Sequence, residues 1–305
     1  MSALPSRQLG DSGIGVSVVG LGCNNFGGRL DLDGTAAVID AAIDAGITFL
    51  DTADIYGGSG GSEELMGKVL DGRWDSVVLA TKFGMDMGEG APDTPRGSRD
   101  YIRWAVEGSL KRLRTDHIDL YQYHRPDGVT PVAETLDALA ELVGEGVVSA
   151  IGCSNFDAGL LEEAERHSRE TGGPRFVTLQ NEYNLLEREI EAEVAPACER
   201  LNVGILPFFP LASGLLSGKY ERGRPAPEGT RLHGRGDVAG DAEFDVIEAL
   251  QAFAEAREIE LIDVAISGLA AQPAVASVIA GATKPDQVRA NAAALRWQPS
   301  AEDLR

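Results

Sequence analysis

A carboxylate and a phenol stand close together in the stretch Phe49-Leu-Asp51-Thr-Ala-Asp54-Ile-Tyr56-Gly57, which follows an apolar run and breaks into glycine. Such a stretch delivers both groups at the end of a buried strand. Later runs of strand character end in further polar residues: Lys82, His124, Ser154-Asn155 and Gln180. A tyrosine hydroxyl, which ordinarily ionises near ~10, is a poor acid, but an ammonium beside it stabilises the phenolate and brings it closer to working pH. Lys82 supplies that charge, Asp51 keeps a buried lysine protonated, and His124 orients a carbonyl or shares the proton. The set reads as a general-acid site with neither a nucleophile nor a metal. Taken alone, Asp51 and Lys82 could equally be a structural ion pair closing the scaffold. Tyr56 and His124 in register with them favour the catalytic reading.

These strand ends need a scaffold that presents them together. Gly10, Gly13 and Gly15 around Asp11-Ser12 give 7–15 the turn chemistry of a small hairpin, a lid over the bottom of something larger. Runs of strand length follow at 16–21, 47–50, 76–81, 118–123, 147–151, 176–180, 203–208 and 275–280, alternating with helical patterns. Asp33-Gly34 opens the first helix, with Val38, Ile39, Ala42 and Ile43 on one face and Gly46 closing it. Later helices start near Ser98, at Thr130 as the cap with Pro131 in first position, at 157–168, at 187–201, across 241–271 and from Pro285. Strands buried on both faces and separated by helices make a parallel sheet. Eight such units without a linker favour a closed (β/α)8 TIM barrel with a short N-terminal β-hairpin over an open doubly wound sheet, in a single domain spanning 1–305. In such a barrel the C-terminal strand ends form the rim that carries the chemistry.

Composition bounds the partners. A net charge of −21, from 48 acidic against 27 basic residues, disfavours nucleic acid and anionic membranes. Cys23, Cys153 and Cys198, odd in number and widely spaced, fit free thiols in a reducing cytoplasm. The first residues lack the apolar core of a secretory signal, and no apolar run approaches the ~20 residues of a membrane span. His117, His167 and His233 have no partner at metal-ligand spacing, and the glycines of 57–61 with Gly67-Lys68 lack phosphate-loop spacing. Asp54 is expected to accept hydrogen bonds within its loop, Arg235-Gly236-Asp237 to be part of a polar loop, and Trp297 to pack or to border the pocket.

The motifs together resemble those of the aldo-keto reductases. Leu-Asp-Thr-Ala-Asp-Ile-Tyr-Gly at 50–57 with Ser-Glu-Glu-Leu-Met-Gly at 62–67 is similar to that family's first signature. The likeness continues through Ile-Gly-Cys-Ser-Asn-Phe at 151–156, Gln180-Asn-Glu-Tyr-Asn, Pro210-Leu-Ala-Ser-Gly-Leu-Leu-Ser-Gly-Lys219-Tyr and Ile-Ala-Gly281-Ala-Thr-Lys-Pro-Asp-Gln-Val-Arg-Ala-Asn291, in order over nearly the whole chain. The resemblance implies NADPH, with NAD less expected, held extended across the barrel rim without the Rossmann glycine fingerprint. It implies Tyr56 as the general acid, Lys82 and Asp51 as its tuning pair, and His124 as the group that positions a carbonyl. Ser154, Asn155 and Gln180 match positions that hold the nicotinamide carboxamide, and Phe208 stands where the family usually stacks a tyrosine. Leu211, Ser213, Gly214 and Lys219 fall in the pyrophosphate loop, and Gly281, Thr283, Lys284, Gln287 and Asn291 at the adenosine end. Gly281 and Gln287 replace a lysine and an arginine of some members, leaving Lys284, helped by Arg289, to meet a 2′-phosphate.

The expected activity is therefore NAD(P)H-dependent reduction of an aldehyde or ketone, or the reverse oxidation, on a small carbonyl or alcohol substrate. One rival is a cofactor-sensing barrel resembling channel-associated regulatory subunits; another is a barrel isomerase needing no nicotinamide. Loops 84–97 and 220–240, long and rich in Gly and Pro, are expected to set the substrate.

Overall fold

Strands β1 (Ser6–Gln8) and β2 (Gly15–Ser17) pair antiparallel, and Leu9, just after β1, and Val16, within β2, have no exposed surface. They cover one end of a parallel sheet of eight strands: β3 (Val19–Gly22), β4 (Phe49–Asp51), β5 (Val78–Phe83), β6 (Ile118–Tyr123), β7 (Val148–Ser154), β8 (Phe176–Gln180), β9 (Gly204–Ile205) and β10 (Val278–Gly281). The spatial order is β10-β3-β4-β5-β6-β7-β8-β9. Ile205 N donates to Ala274 O at 2.7 Å, Ala276 N to Ile205 O at 2.9 Å and Ile279 N to Pro207 O at 3.0 Å, joining the last strand to the run before β10. The sheet thus closes into the expected (β/α)8 barrel, with its helices outside. This computed structural model describes residues 4–88, 90–234 and 238–304. Arg235-Gly236-Asp237 lies outside the described residues, and among those described no helix is long and apolar enough to cross a membrane.

The period of two along each strand sorts the side chains. Phe49, Ala80, Leu120, Ala150 and Leu206 point into the barrel and make an apolar floor with Leu9 and Val16 of the hairpin. Leu79, Tyr121, Tyr123 and Ile151 point outward and pack on the helices. One step along each strand beyond the floor lie the inward positions of Asp51, Lys82, Gln122 and Gly152. Gly152 is small for a reason: a Cβ there would strike Thr178 Oγ1 and come within 3.1 Å of Gln122 Cγ.

Several boundaries differ from the sequence reading. The run 16–21 is two strands, because Ser17 and Thr48 exchange backbone-to-side-chain hydrogen bonds at 3.1 and 3.0 Å and turn the chain from hairpin into barrel. The run 203–208 keeps only two strand residues: Pro207 and Pro210 have no N–H to give a ladder, and Phe209 turns away at φ 51°. Asp31, not Asp33, caps the first helix (Leu32–Asp44) by accepting from Gly34 N at 3.0 Å. Thr130 is not the cap of helix Val132–Gly144; Pro131 stands there, and the Thr130 hydroxyl donates to Asp127 Oδ2 at 2.7 Å. The run 187–201 yields helix only over Val194–Leu201, after a short 3-10 turn. After β9 the chain forms a 3-10 segment, Ala212–Ser217, with Ala212 and Ser213 in left-handed conformations that side chains rarely adopt. Leu215, Leu216, Tyr220 and Leu232 pin this long connection onto helices Asp241–Glu255 and Leu261–Ala270 through Phe244, Ile247 and Leu261.

Candidate active site

Above the apolar floor lies a buried polar layer whose centre is the Asp51 carboxylate. Oδ2 receives Lys82 Nζ at 2.7 Å, and Oδ1 receives Gln180 Nε2 at 2.9 Å and Gln122 Nε2 at 3.1 Å. Donors from three other strands therefore converge on one anion. Lys82, with no exposed surface, also donates to Thr52 O at 2.8 Å and reaches Tyr56 OH at 3.4 Å. Burial alone would lower the lysine's pKa, but Asp51 and Tyr56 outweigh it and leave the pKa above its ordinary value, so Nζ is an ammonium.

Tyr56 enters from the loop after β4, its ring 4.9 Å from Lys82 Nζ and 5.8 Å from the His124 ring in an edge-on contact at 87°. The expectation that Lys82 brings the phenol toward working pH is not met. Desolvation dominates, and although Lys82 pulls the other way, the hydroxyl sits above its ordinary value. Tyr56 is a fully protonated proton donor at neutral pH. His124 is pushed the other way, down to about 3, by burial first and then by Lys82 and Arg125. Its imidazole is neutral, and its Nδ1 is buried without a hydrogen-bonding partner. Since a buried orphan N–H is rarer than an orphan acceptor, the ring proton belongs on Nε2, at the cavity.

Tyr56, His124 and Asp51 floor a cavity of about 650 Å3 that runs along the rim toward the end of β10. Ser154, Asn155, Gln180, Phe208, Leu211, Ser213, Gly214, Lys219, Gly281, Thr283, Gln287 and Asn291 all line it, so the structure brings together residues spread over the second half of the chain. Their hydrogen bonds differ. The Ser154 hydroxyl is committed to Gln180 O at 2.6 Å, and Asn155 Nδ2 donates to His124 O at 2.9 Å and to Ser154 Oγ at 3.1 Å. Asn155 Oδ1 and Gln180 Oε1 accept nothing from the described chain, leaving two amide oxygens for a ligand's N–H groups. Gln287 Oε1 takes Thr283 N at 2.7 Å and Thr283 Oγ1 at 3.1 Å, which orders the turn beside Asn291. Lys284 is apart from the others: it is exposed, stands at the N-cap of helix Pro285–Ala293 and does not line the cavity. Arg289, its expected helper, is held by Asp286 at 2.6 Å. Trp297 packs edge-on against Phe253, 5.9 Å between ring centres, away from the cavity.

Gln122 was not singled out in the sequence. The signal was a polar residue in phase with Leu120 and His124, on the opposite face of the strand from Asp119. Arg29, Met85, Arg125, Thr230 and Arg231 also line the cavity and come from irregular loops, where no periodicity marks them. Met85 and Gly229–Arg231 belong to the two loops expected to shape the substrate site.

Asp54 behaves unlike its expectation. It is 1% exposed, and neither carboxyl oxygen has a hydrogen-bonding partner. Burial, and then the neighbouring Glu63 carboxylate, push its pKa up to about 8. The folded chain therefore binds a proton that the unfolded chain, with an Asp near ~3.9, releases. That contribution is whole below pH ~4 and is lost as pH rises toward the folded value. Asp54→Asn carries no such proton and should gain on the parent by up to about 1.4 kcal/mol per pH unit across that window. Urea unfolding at the two ends of the window measures the gap; a gap independent of pH would show that Asp54 does not hold the proton.

Comparison with known proteins agrees with this geometry. A model described as the Aldo/keto reductase family matches residues 18–305. L-glyceraldehyde 3-phosphate reductase of Escherichia coli is 33% identical over 304 residues, covering 95% of this chain and 87% of that protein. A probable voltage-gated potassium channel subunit beta of Oryza sativa is 35% identical over 299 residues, covering 95% and 90%. Among solved structures, the aldo-keto reductase AKR11C1 from Bacillus halodurans, in its holo form, superposes with a TM-score of 0.83 at 33% identity over 99% of this chain and 94% of that one.

Proposed function

The chain belongs to the aldo/keto reductase family, a family of nicotinamide-dependent carbonyl oxidoreductases, and on that premise we propose that it reduces small aldehydes or ketones with NADPH, Tyr56 donating the proton. It would do so as a single domain over 1–305, in a cytoplasm that keeps its buried cysteines as free thiols. The observation that carries the reading is the charged Lys82, held by Asp51, reaching the hydroxyl of Tyr56 beneath the cavity.

The residues present fit a bound nicotinamide. Asn155 Oδ1 and Gln180 Oε1 are two free acceptors for a carboxamide's N–H groups, Phe208 offers a face for stacking, and Lys219 and Arg231 line the same cavity as cations for its phosphates. When bound, the reduced nicotinamide supplies the hydride. The chain's own groups do the rest. His124 Nε2–H and the Tyr56 hydroxyl converge on a carbonyl oxygen placed above them. Tyr56 gives its proton to the developing alkoxide, a far stronger base than a phenolate, and Lys82 stabilises the tyrosinate left behind. Asp51 keeps that lysine charged, and Gln122 and Gln180 fix Asp51. The reverse oxidation uses the same groups from the deprotonated side.

Preference for NADPH rests on charge: a 2′-phosphate adds anion to a cavity lined by Lys219 and Arg231. The regulatory reading drawn from channel-associated barrels is the weaker one, because all four groups needed for proton transfer are present and mutually arranged.

The experiment is a fluorescence titration with NADPH and NADH, followed by aldehyde reduction across pH. Tighter binding of NADPH is expected. Because His124 titrates near 3 and Tyr56 above its ordinary value, kcat for reduction should be flat through neutral pH and fall only in strong alkali, while alcohol oxidation should keep rising. A step in kcat near ~6.5, where an ordinary histidine titrates, would assign the proton to another group. Equal affinity for the two cofactors would remove the NADPH preference.

A further inference from the structure

An acidic chain with 48 Asp and Glu against 27 Lys and Arg leaves few cations without a counter-ion. Most arginines outside the cavity are paired, as Arg99 and Arg103 are with Glu141 and Arg222 is with Asp241 and Asp245. Arg29 and Arg125 are not. Both line the cavity, and among the described residues neither makes an ion pair or a side-chain hydrogen bond.

Their backbones are fixed beside the two groups that would hold a carbonyl oxygen. Arg29 lies in a tight turn in which Arg29 N and Leu30 N both donate to Asn25 O, at 2.9 and 3.0 Å. That turn sits on the residue after Tyr56: a Cβ at Gly57 would lie 2.5 Å from Phe26 O and 3.2 Å from Gly27 Cα. Arg125 follows His124, whose N–H donates to Phe83 O at 2.8 Å and whose carbonyl accepts from Asn155 at 2.9 Å. The nearby carboxylate, Asp51, is neutralised by Lys82. Glu260 also lines the cavity, as the N-cap of the helix Leu261–Ala270 that packs on Leu215 and Leu216. In the reading above Lys219 and Arg231, which line the same cavity, serve the phosphates of a cofactor, so the two free guanidinium groups are left for something else.

We infer that the substrate carries an anionic group, a carboxylate or a phosphate, besides its carbonyl, and that Arg29 and Arg125 receive it at the mouth of the cavity. This rests on the reductase reading above and narrows its substrate class. A guanidinium presents paired N–H donors matched to either oxyanion, and unpaired cations at a concave mouth raise the local concentration of anionic ligands.

The test is steady-state reduction by the cofactor-saturated enzyme of two matched pairs: 4-carboxybenzaldehyde with methyl 4-formylbenzoate, and glyceraldehyde 3-phosphate with glyceraldehyde. The charged member of at least one pair should have the higher kcat/KM by about tenfold, mainly through KM, and the advantage should shrink as salt is raised toward ~1 M. Which pair shows it identifies the oxyanion. In the Arg29→Gln/Arg125→Gln variant the ratio should fall toward one, and Arg29→Lys/Arg125→Lys should recover part of it. Equal kcat/KM within both pairs overturns the assignment, as does a preference that survives the double glutamine variant. Loss of NADPH affinity in that variant with the preference intact gives both arginines to the cofactor. Turnover of the neutral aldehydes without preference leaves the reductase reading standing; no turnover of any of the four removes both.

Discussion

Tyr56→Phe should lower kcat for aldehyde reduction by roughly 10²–10⁴-fold, the contribution of a positioned general acid. The substitution removes one oxygen. The ring keeps its edge-on contact with His124 and its place near Lys82, and Lys82 keeps Asp51 and Thr52 O as partners. NADPH affinity and the unfolding midpoint should therefore stay close to those of the parent, which separates a lost proton donor from a damaged fold. Single-turnover reduction of a small aromatic aldehyde with NADPH, read beside a cofactor titration, makes the measurement. Reduction within a few-fold of the parent rate would take the acid role away from Tyr56 and return it to His124 or to water.

The second large effect is on stability. Lys82→Met leaves the Asp51 carboxylate, 2% exposed, with only two neutral amide donors. Removing one partner of a buried ion pair typically costs about 3–5 kcal/mol, because the remaining charge has neither water nor a counter-ion. Urea denaturation should show a loss of that order. Adding Asp51→Asn should return much of it, since the charge that suffered is gone, while reduction stays depressed because no ammonium faces Tyr56. Recovery of activity along with stability in the double variant would reduce Asp51 and Lys82 to a structural pair, the other reading that the sequence left open.

Much of this site was legible before any fold was known. Asp51, Tyr56, Lys82 and His124 each end a run of strand length, and such ends share one rim in a barrel of parallel strands. Gln180 was named with them as the polar end of a later run. What escaped shows where patterns stop. Gln122 lay in phase with His124, but its partner was a carboxylate on another strand far away in the chain. Asp54 sits between two candidate site residues and looked like a loop acceptor; only the packing of Glu63, Tyr121 and their neighbours reveals that it is sealed from water without a hydrogen bond. Lys284 matched a phosphate-binding position, yet the helix it caps holds it outside the cavity. The run 16–21 carried one apolar signature but two strands, because Ser17 and Thr48 bond across the junction.

By itself the chain determined the elements, their order, the barrel and the identities of the polar strand ends, since these follow from periodicity and turn chemistry within short windows. Tertiary structure alone decided the protonation states. Tyr56 is a weaker acid than its lysine neighbour suggested and His124 is neutral, because desolvation depends on everything packed around a group, and that sum is not written in any short stretch. It also decided which cations are free: Arg29 and Arg125 are ordinary loop residues in the sequence, and only the fold brings both to the wall of one cavity without a counter-ion among the described residues.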